Sequence, residues 1–430
     1  MAVAWIDQLI HEAEKKVDEV EVFLVKGTSV SAELKQKKVN LAITSEDCGL
    51  GVRTIHKGRI GSSSTNNPDQ WQECLNAAIA SGKLATPQDW NGLPDPAPFS
   101  QTPLSFDTSI TIEPPVVIEL IEKMLKGADE HPAEVAAGSA SLSSVTVTLA
   151  NSKGIRYTDK NTGVSLSLEA IHEQSTGYEF DHSCFLDKVD PVAVGERATF
   201  FATESDNGKD IASGDYDILL SPLAYGELLG NVFIPALSGR NVHAGRSRLA
   251  QSLGKIVADT QISMYDDPHR EKGNGSVRWD AEGTPTRRID FIRDGILETF
   301  AYDLKTAYRF GKTSTGSAIR GGFGGLPSIG HHNFVVDGKR CGVADDPVIY
   351  IHNVVGAHTA NPMSGEFSVE FSNAFWMEGS QYDTPIRSAM FSGNIFDMHH
   401  NISGLSKESR AVGSMILPSI KINNQHIIGK

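Results

Sequence analysis

The stretch Ser221–Gly254, SPLAYGELLGNVFIPALSGRNVHAGRSRLAQSLG, most restricts the folds open to this chain. Ser221-Pro222 has the form of a helix start. The hydroxyl caps free backbone N–H groups, and proline at the first helical position gives up no intrahelical bond. Ala224, Leu228, Val232 and Ala236 then recur every fourth residue, with Leu229, Phe233 and Leu237 beside them, so the helix is expected to be largely buried. Pro235 removes one ladder bond and bends or shortens the helix end.

A chain of 430 residues has room for a large core around such a helix and for two or three domains. Hydrophobic residues make up 40% and charged residues 21%, the balance of an ordinary soluble globular protein. A formal net charge of −14 argues against a general nucleic-acid or anionic-membrane surface. Cys48, Cys74, Cys184 and Cys341 lie far apart with no CxxC pair, which fits reduced, buried thiols of a cytoplasmic protein better than a disulfide framework. The opening MAVAWIDQLIHEAEKK has neither a basic leader nor a long apolar run and reads as an amphipathic helix, not a signal peptide. No segment approaches the roughly 20 apolar residues of a membrane span.

Short runs with strand character follow: Val20–Val25, Ser29–Leu34, Val39–Thr44 and Gly49–Ile55, with a hairpin tip at 55–60, together an antiparallel meander. Asn67–Gly82 reads as a helix, and the Pro-rich passage Thr86–Pro115 as a connector. Pro114–Asp129 is a second helix with Val117, Leu120, Ile121, Met124 and Leu125 on one side. Ser141–Ala150 and Thr162–His172 read as strands, and Pro191–Glu204 as a helix. Asp215–Ser221 delivers the chain into the central helix. Beyond Gly254 strands dominate: Thr286–Arg293 and Ile296–Tyr302 around the hairpin signal Asp294-Gly295, then Phe334–Val336, Pro347–Val355, Glu366–Phe371, Phe375–Glu378 and Ala389–Met398. The expected class is α+β. An N-terminal domain (1–205) holds an antiparallel sheet with helices, and a C-terminal domain (206–430) is β-rich and barrel-like around a buried helix.

Within the central helix, Gly226-Glu227-Leu228-Leu229-Gly230-Asn231 resembles a motif of the TldD/PmbA (TldE) family. TldD subunits carry His-Glu-x-x-x-His there, with glycine before the second histidine. Glu227 and Gly230 match, whereas Gly226 and Asn231 stand in the histidine positions. Further blocks resemble the family in order: Ala244-Gly245-Arg246-Ser247, Leu253-Gly254, Tyr265-Asp266-Asp267-Pro268, Asp280-x-Glu282-Gly283-x-Pro285-Thr286-x-Arg288, Asp294–Leu297, Ser314–Ala318 with Arg320, and Gly365–Val369. Phe367-Ser368-Val369 and Phe375–Gly379 are closer to the TldE side. The resemblance implies that in the catalytic subunit two histidines hold zinc and the glutamate activates its water. Five residues of ideal helix rotate by about 140°, so those histidines need a widened turn to converge, such as a π-bulge at the glycine. A third ligand, a cysteine near the C-terminus, is also implied, but the last cysteine is Cys341 and the corresponding 404–412 (GLSKESRAV) has none. The motif reads as degenerate, with no catalytic, cofactor or metal residue assigned to this chain.

Other chemistry-bearing residues carry weaker signals. His331-His332 and His399-His400, placed on strands, would each offer one imidazole to a common ion, and read better as surface or hydrogen-bonding histidines. Asp266-Asp267 before proline reads as a turn cap before it reads as a cation site. The Gly-rich run Ile319–Gly330 lacks the ending of a phosphate loop and reads as a flexible loop lining a cleft or subunit boundary. Glu227 is a candidate base only in a dry site; a structural role fits better.

The resemblance therefore implies a TldE/PmbA-like subunit of a cytoplasmic, zinc-dependent peptidase that degrades or trims unfolded peptides, with zinc in a TldD-like partner and none in this chain. Two rivals stand. One is a self-sufficient homodimeric hydrolase using Glu227 or His331/His332. The other is a non-enzymatic regulatory binding protein, to which the family's older description as a modulator of DNA gyrase belongs.

Overall fold

The computed structural model describes residues 4–98, 105–379 and 381–429. Helix α1 (Ala4–Glu14) buries Ile6, Leu9, Ile10 and Ala13. Strands β1 (Glu19–Lys35), β2 (Lys38–His56), β3 (Arg59–Thr65), β4 (Glu134–Asn151), β5 (Arg156–His172) and β6 (Ser175–Ser183) form one antiparallel sheet in the order β3-β2-β1-β4-β5-β6. Helix α2 (Trp71–Leu84) packs on β2 and β3, and α3 (Pro114–Ala128) lies against β1 and β4. Helix α4 (Pro191–Glu204) covers β5 and β6. The Thr86–Pro115 passage is irregular up to the start of α3 at Pro114, apart from its residues 99–104, which lie outside the described residues.

The four short strands expected at 20–55 are two long ones. The residues that look like turns in sequence pair across the ladder: Lys26 faces Cys48, Gly27 faces Asp47 and Thr28 faces Glu46. Polar residues opposite polar residues extend a strand where a single sequence suggests a break. Glu366–Phe371 and Phe375–Glu378 likewise merge into a single strand.

The second sheet contains β7 (Gly214–Leu220), β8 (Ile262–Asp266), the hairpin β9 (Ile289–Arg293) and β10 (Ile296–Leu297), and, beyond a separate short pair β11 (Ala318–Ile319) and β12 (Ser328–Ile329), β13 (Phe334–Gly338), β14 (Val348–Val355), β15 (Glu366–Glu378), β16 (Gln381–Ile386), β17 (Met390–Asn394), β18 (Ile402–Val412) and β19 (Met415–Ile428). The expected Asp294-Gly295 turn forms, with both residues at positive φ, but its second arm is only two residues long. Five strands close on themselves. β7 pairs with β14, β14 with β15, β15 with β17, β17 with β19, and β19 returns to β7. Closure removes the free edges that an open sheet exposes. The architecture is α+β, with a closed five-stranded barrel in the C-terminal part.

Helix α5 (Pro222–Leu228) continues into a π turn (Leu229–Phe233) and a 3-10 turn (Ile234–Leu237) around Pro235. The uniform helix expected there is thus short, and its widened turn falls at Gly230. Tyr225, Leu228, Leu229, Val232 and Phe233 are fully buried and join the largest core. One strand expectation fails: Ala389–Met398 is strand only to Asn394. The Asn394 side chain then accepts from Phe396 N and starts a helix, Ile395–His400. All four cysteines are free, but only Cys74 and Cys184 are buried, with Cys48 and Cys341 half-buried. No described helix is long and apolar enough to cross a membrane.

Candidate functional site

Ser221 caps the motif helix as its sequence requires. Its Oγ accepts from Leu223 N at 3.1 Å and Ala224 N at 3.2 Å, and its hydroxyl donates to the His352 carbonyl. One turn on, Gly226 is buried against the β18–β19 hairpin. A Cβ there would lie 3.2 Å from Leu417 Cδ1 and 3.3 Å from both Met415 Cε and Val412 Cγ1. The direction in which a ligand side chain would project is filled by three apolar tips. Glu227 and Gly230 are exposed, and a Cβ at Gly230 would meet nothing within 4 Å. Asn231 Nδ2 donates to the Glu227 carbonyl at 2.9 Å and to its Oε2 at 3.3 Å. The carboxylate is thus held by a carboxamide at an exposed position, not in the dry site expected of a general base.

A catalytic zinc needs about three protein ligands and an open position. Here the two helix positions carry glycine and asparagine, and β18 (Ile402–Val412) carries no thiol. The residues present do not fit zinc. Among the described residues, no three His, Cys, Asp or Glu side chains converge to hold a metal ion.

Arginine occupies the thiol-free strand instead. Arg410 on β18 forms a two-pronged pair with the buried Glu179 of β6, Nη2 to Oε1 at 2.7 Å and Nη1 to Oε2 at 3.1 Å. Burial pushes the Glu179 carboxyl up, but the hydrogen bonds and charge of Arg410 outweigh it and hold the group below the usual carboxylate range. His352 lies 3.9 Å from Glu179 and stacks on Phe201 with centroids 3.6 Å apart. Burial drives its pKa down to about 4, so it is neutral at neutral pH. These groups, with Ser221, Arg197, Tyr350 and Tyr382, line a 530 Å³ cleft between the motif helix, α4 and β18.

A second polar cluster joins residues that sequence spacing does not connect. Arg53 on β2 donates to Glu21 of β1 at 2.7 Å and to Glu282 at 2.8 Å, all three nearly inaccessible to solvent. Arg320 also pairs with Glu21, and Leu304 N donates to the second Glu282 oxygen at 2.7 Å. Beside them Asp280 accepts from the backbone N–H groups of Glu282, Thr284 and Ala318. Burial first, and then the Glu282 charge, push the Asp280 carboxyl up. Two signals could have exposed the cluster. Glu21 is an acid within the apolar run VEVFLV, and Glu282 and Arg320 stand in two of the quoted blocks without an assigned role. A 200 Å³ cavity beside the cluster is lined by Phe23, Val147, Trp279, Ile319 and Arg320.

The remaining candidates are dispersed. His331 Nε2 lies 3.2 Å from Ser414 Oγ, and His332 Nε2 lies 2.9 Å from the Gly316 carbonyl. His399 sits on a helix, not a strand, and is fully buried, so it is no surface histidine. Its Nε2 meets the Tyr225 hydroxyl at 3.0 Å, and burial lowers its pKa to about 3. His400 is exposed at the end of that helix. Asp267 caps its turn through His269 N at 3.1 Å, while the buried Asp266 binds the backbone of His332 and Asn333. The Gly-rich run is strapped across the first sheet: the Phe323 ring lies over Gly49 and its carbonyl over Gly51, at distances that no Cβ would tolerate.

Family models match most of the chain. The PmbA/TldA metallopeptidase C-terminal domain matches residues 213–429, domain 1 matches 20–82 and the central domain matches 107–205. The chain is 31% identical to an uncharacterised protein of Methanocaldococcus jannaschii over 426 residues, 98% of this chain and 99% of the relative. It is 25% identical to the metalloprotease PmbA of Escherichia coli O157:H7, covering 96% of this chain and 94% of that protein. The crystal structure of TldE from Thermococcus kodakarensis is similar at a TM-score of 0.92 and 26% identity, covering 99% of this chain and 100% of that one.

Proposed function

The chain belongs to the PmbA/TldD metallopeptidase family, and on that premise we propose that it is the zinc-free, TldE-type subunit of a two-subunit peptidase acting on unfolded peptides. The observation that carries this reading is the environment of Gly226. A protein that bound zinc at this helix would need an imidazole where Val412, Met415 and Leu417 converge. The π turn at Leu229–Phe233 has the widened geometry that two ligands five residues apart require, yet Asn231 spends its carboxamide on Glu227. The frame is retained without its ligands.

The zinc then resides in a TldD-like partner of similar size. This chain supplies part of the enclosure and holds an extended peptide by backbone pairing along a strand edge, which binds with little regard to sequence. Enclosure keeps folded proteins away from the metal. The expected setting is the cytoplasm, and the proposed division into two domains falls near residue 205.

Reconstitution tests the reading. An unfolded peptide is incubated with this chain, with a zinc-bearing relative from the same cell, and with both. Turnover is expected only in the mixture, and zinc-dependent turnover by this chain alone would refute the proposal.

A further inference from the structure

Past Pro235 the chain folds back and carries two arginines to one pocket. Arg240 stands on a short helix, Gly239–His243. Gly239 N donates to the Ala301 carbonyl at 2.8 Å, and a Cβ at this glycine would lie 2.3 Å from the Tyr302 ring, so the helix is pinned to its neighbour. Gly245 then takes a φ of +69°, which glycine adopts without strain, and turns the chain so that Arg246 N donates to the Asn241 carbonyl at 2.8 Å. Asn241 Nδ2 is tied to the Pro235 carbonyl at 2.8 Å, and Ser247 Oγ to the Ala236 carbonyl at 2.7 Å. Both arginines thus stand on backbone that is fixed on either side. The Ala244-Gly245-Arg246-Ser247 block is a turn that holds Arg246 in place.

Arg240 and Arg246 line one 380 Å³ pocket together with Ile234, Leu237, Phe291 and Ile329. Among the described residues its lining contains no Asp or Glu, in a chain whose formal net charge is −14. Neither guanidinium has an ion pair or hydrogen bond among the described residues, whereas Arg248, two residues on, pairs with Asp397 at 3.0 Å. His331 also lines the pocket, and burial lowers its pKa, so it adds no charge at neutral pH. Ile234 and Ile329 are only partly buried and leave apolar surface on the walls. We propose that this pocket binds a carboxylate that carries a short apolar tail. Two unpaired guanidinium groups offer the forked N–H donors that match a carboxylate, and the aliphatic wall takes the tail out of water. Both charges repel a cation, and a bare anion leaves the apolar wall wet. The free C-terminal residue of a peptide has this chemistry, and so does a short aliphatic acid. Only the choice of the peptide end as source rests on the peptidase reading.

Saturation-transfer NMR on the purified full chain tests this without any turnover. N-acetyl-leucine is expected to bind with a dissociation constant of about a millimolar. N-acetyl-leucinamide should bind on the order of tenfold more weakly, and acetate more weakly still. Arg240→Gln and Arg246→Gln should each weaken N-acetyl-leucine on the order of tenfold. Arg246→Lys, which keeps the charge but not the forked donor, should weaken it less. All three variants should keep the melting temperature of the unaltered chain, since neither side chain holds a partner among the described residues. Hexanoate separates the sources. Binding equal to that of N-acetyl-leucine supports the tailed carboxylate with an aliphatic acid as its source, and weaker binding supports the peptide end. Absence of N-acetyl-leucine binding, or equal binding of its amide, acetate or inorganic phosphate, would overturn the proposal. So would binding indifferent to Arg240→Gln with Arg246→Gln. A reconstituted mixture without peptidase activity would leave this binding in place, so the two readings fail separately.

Discussion

The motif helix and the Arg53–Glu21–Glu282–Arg320 cluster both lie in or against blocks that resemble the family, and they have met opposite fates. At the helix, positions expected to hold charge-bearing chemistry carry glycine and a carboxamide, and apolar side chains have closed over the first of them. At the cluster, two guanidinium groups and two carboxylates stay buried, matched in number and joined by short ion pairs, with Arg53 Nε left without a hydrogen-bond partner among the described residues. On the proposed reading, a catalytic position can be vacated without loss of the fold, because apolar neighbours fill the space around it. A buried charge cannot be vacated singly, because its partner is then left uncompensated. The contrast separates what a relative keeps for chemistry from what it keeps for architecture.

The sharpest way to break that comparison is Arg53→Met. It strands Glu21 beside Arg320 alone and leaves Glu282 without its cation, and is expected to cost about 3–5 kcal/mol of stability, read by urea denaturation. A cost below about 1 kcal/mol would make the cluster as dispensable as the zinc motif. Protons probe the barrel side. His352 and His399 have pKa values held down to about 4 and about 3 by burial, against an ordinary value of 6.5. Between these values the unfolded chain binds more protons than the folded one. The contribution of these two histidines is therefore complete only above about pH 6.5 and falls as pH drops, by up to roughly 1.4 kcal/mol per histidine per pH unit between pH 6 and pH 5. Denaturation curves at pH 7, 6 and 5 measure it, and the loss from pH 6 to 5 should shrink by about 1 kcal/mol in His399→Phe.

Restoring an imidazole at the vacated position is expected to have a smaller effect and an instructive sign. Gly226→His forces side-chain atoms into Val412, Met415 and Leu417 and should destabilise the fold by about 1–3 kcal/mol, with no gain of zinc by metal analysis. Smallest of all is Glu227→Ala. Its carboxylate is exposed and is bonded to Asn231, so stability should change by less than about 0.5 kcal/mol, and activity of the reconstituted mixture should stay near that of the unaltered chain. A collapse of activity would return Glu227 to the chemistry.

Much of the architecture was legible in the sequence where local rules decide. Ser221-Pro222 caps its helix, Asp294-Gly295 turns its hairpin, and Pro191–Glu204 is a helix with those bounds, capped by Asp190. The widened turn at Gly230 is what the family resemblance implied, from the rotation between the two histidine positions of its catalytic subunit. Long strands were not legible. Gly27 signals a break until Asp47 is known to face it. Residues 395–398 read as strand because the Asn394 capping bond to Phe396 N, which starts the helix there, competes with an alternating pattern on both sides. The two sites were harder still. Arg53 and Glu282 are 229 residues apart, and the apolar wall around Gly226 is built by a hairpin near the chain end, so each environment exists only after folding.

The central claim is the proposal that this chain has kept the frame of a zinc site without its ligands. Metal analysis of the purified chain after incubation with excess zinc and removal of unbound ion tests it most directly. The account predicts far less than one zinc per chain, unchanged by Glu227→Gln. One tightly held zinc per chain that disappears with Glu227→Gln would contradict it.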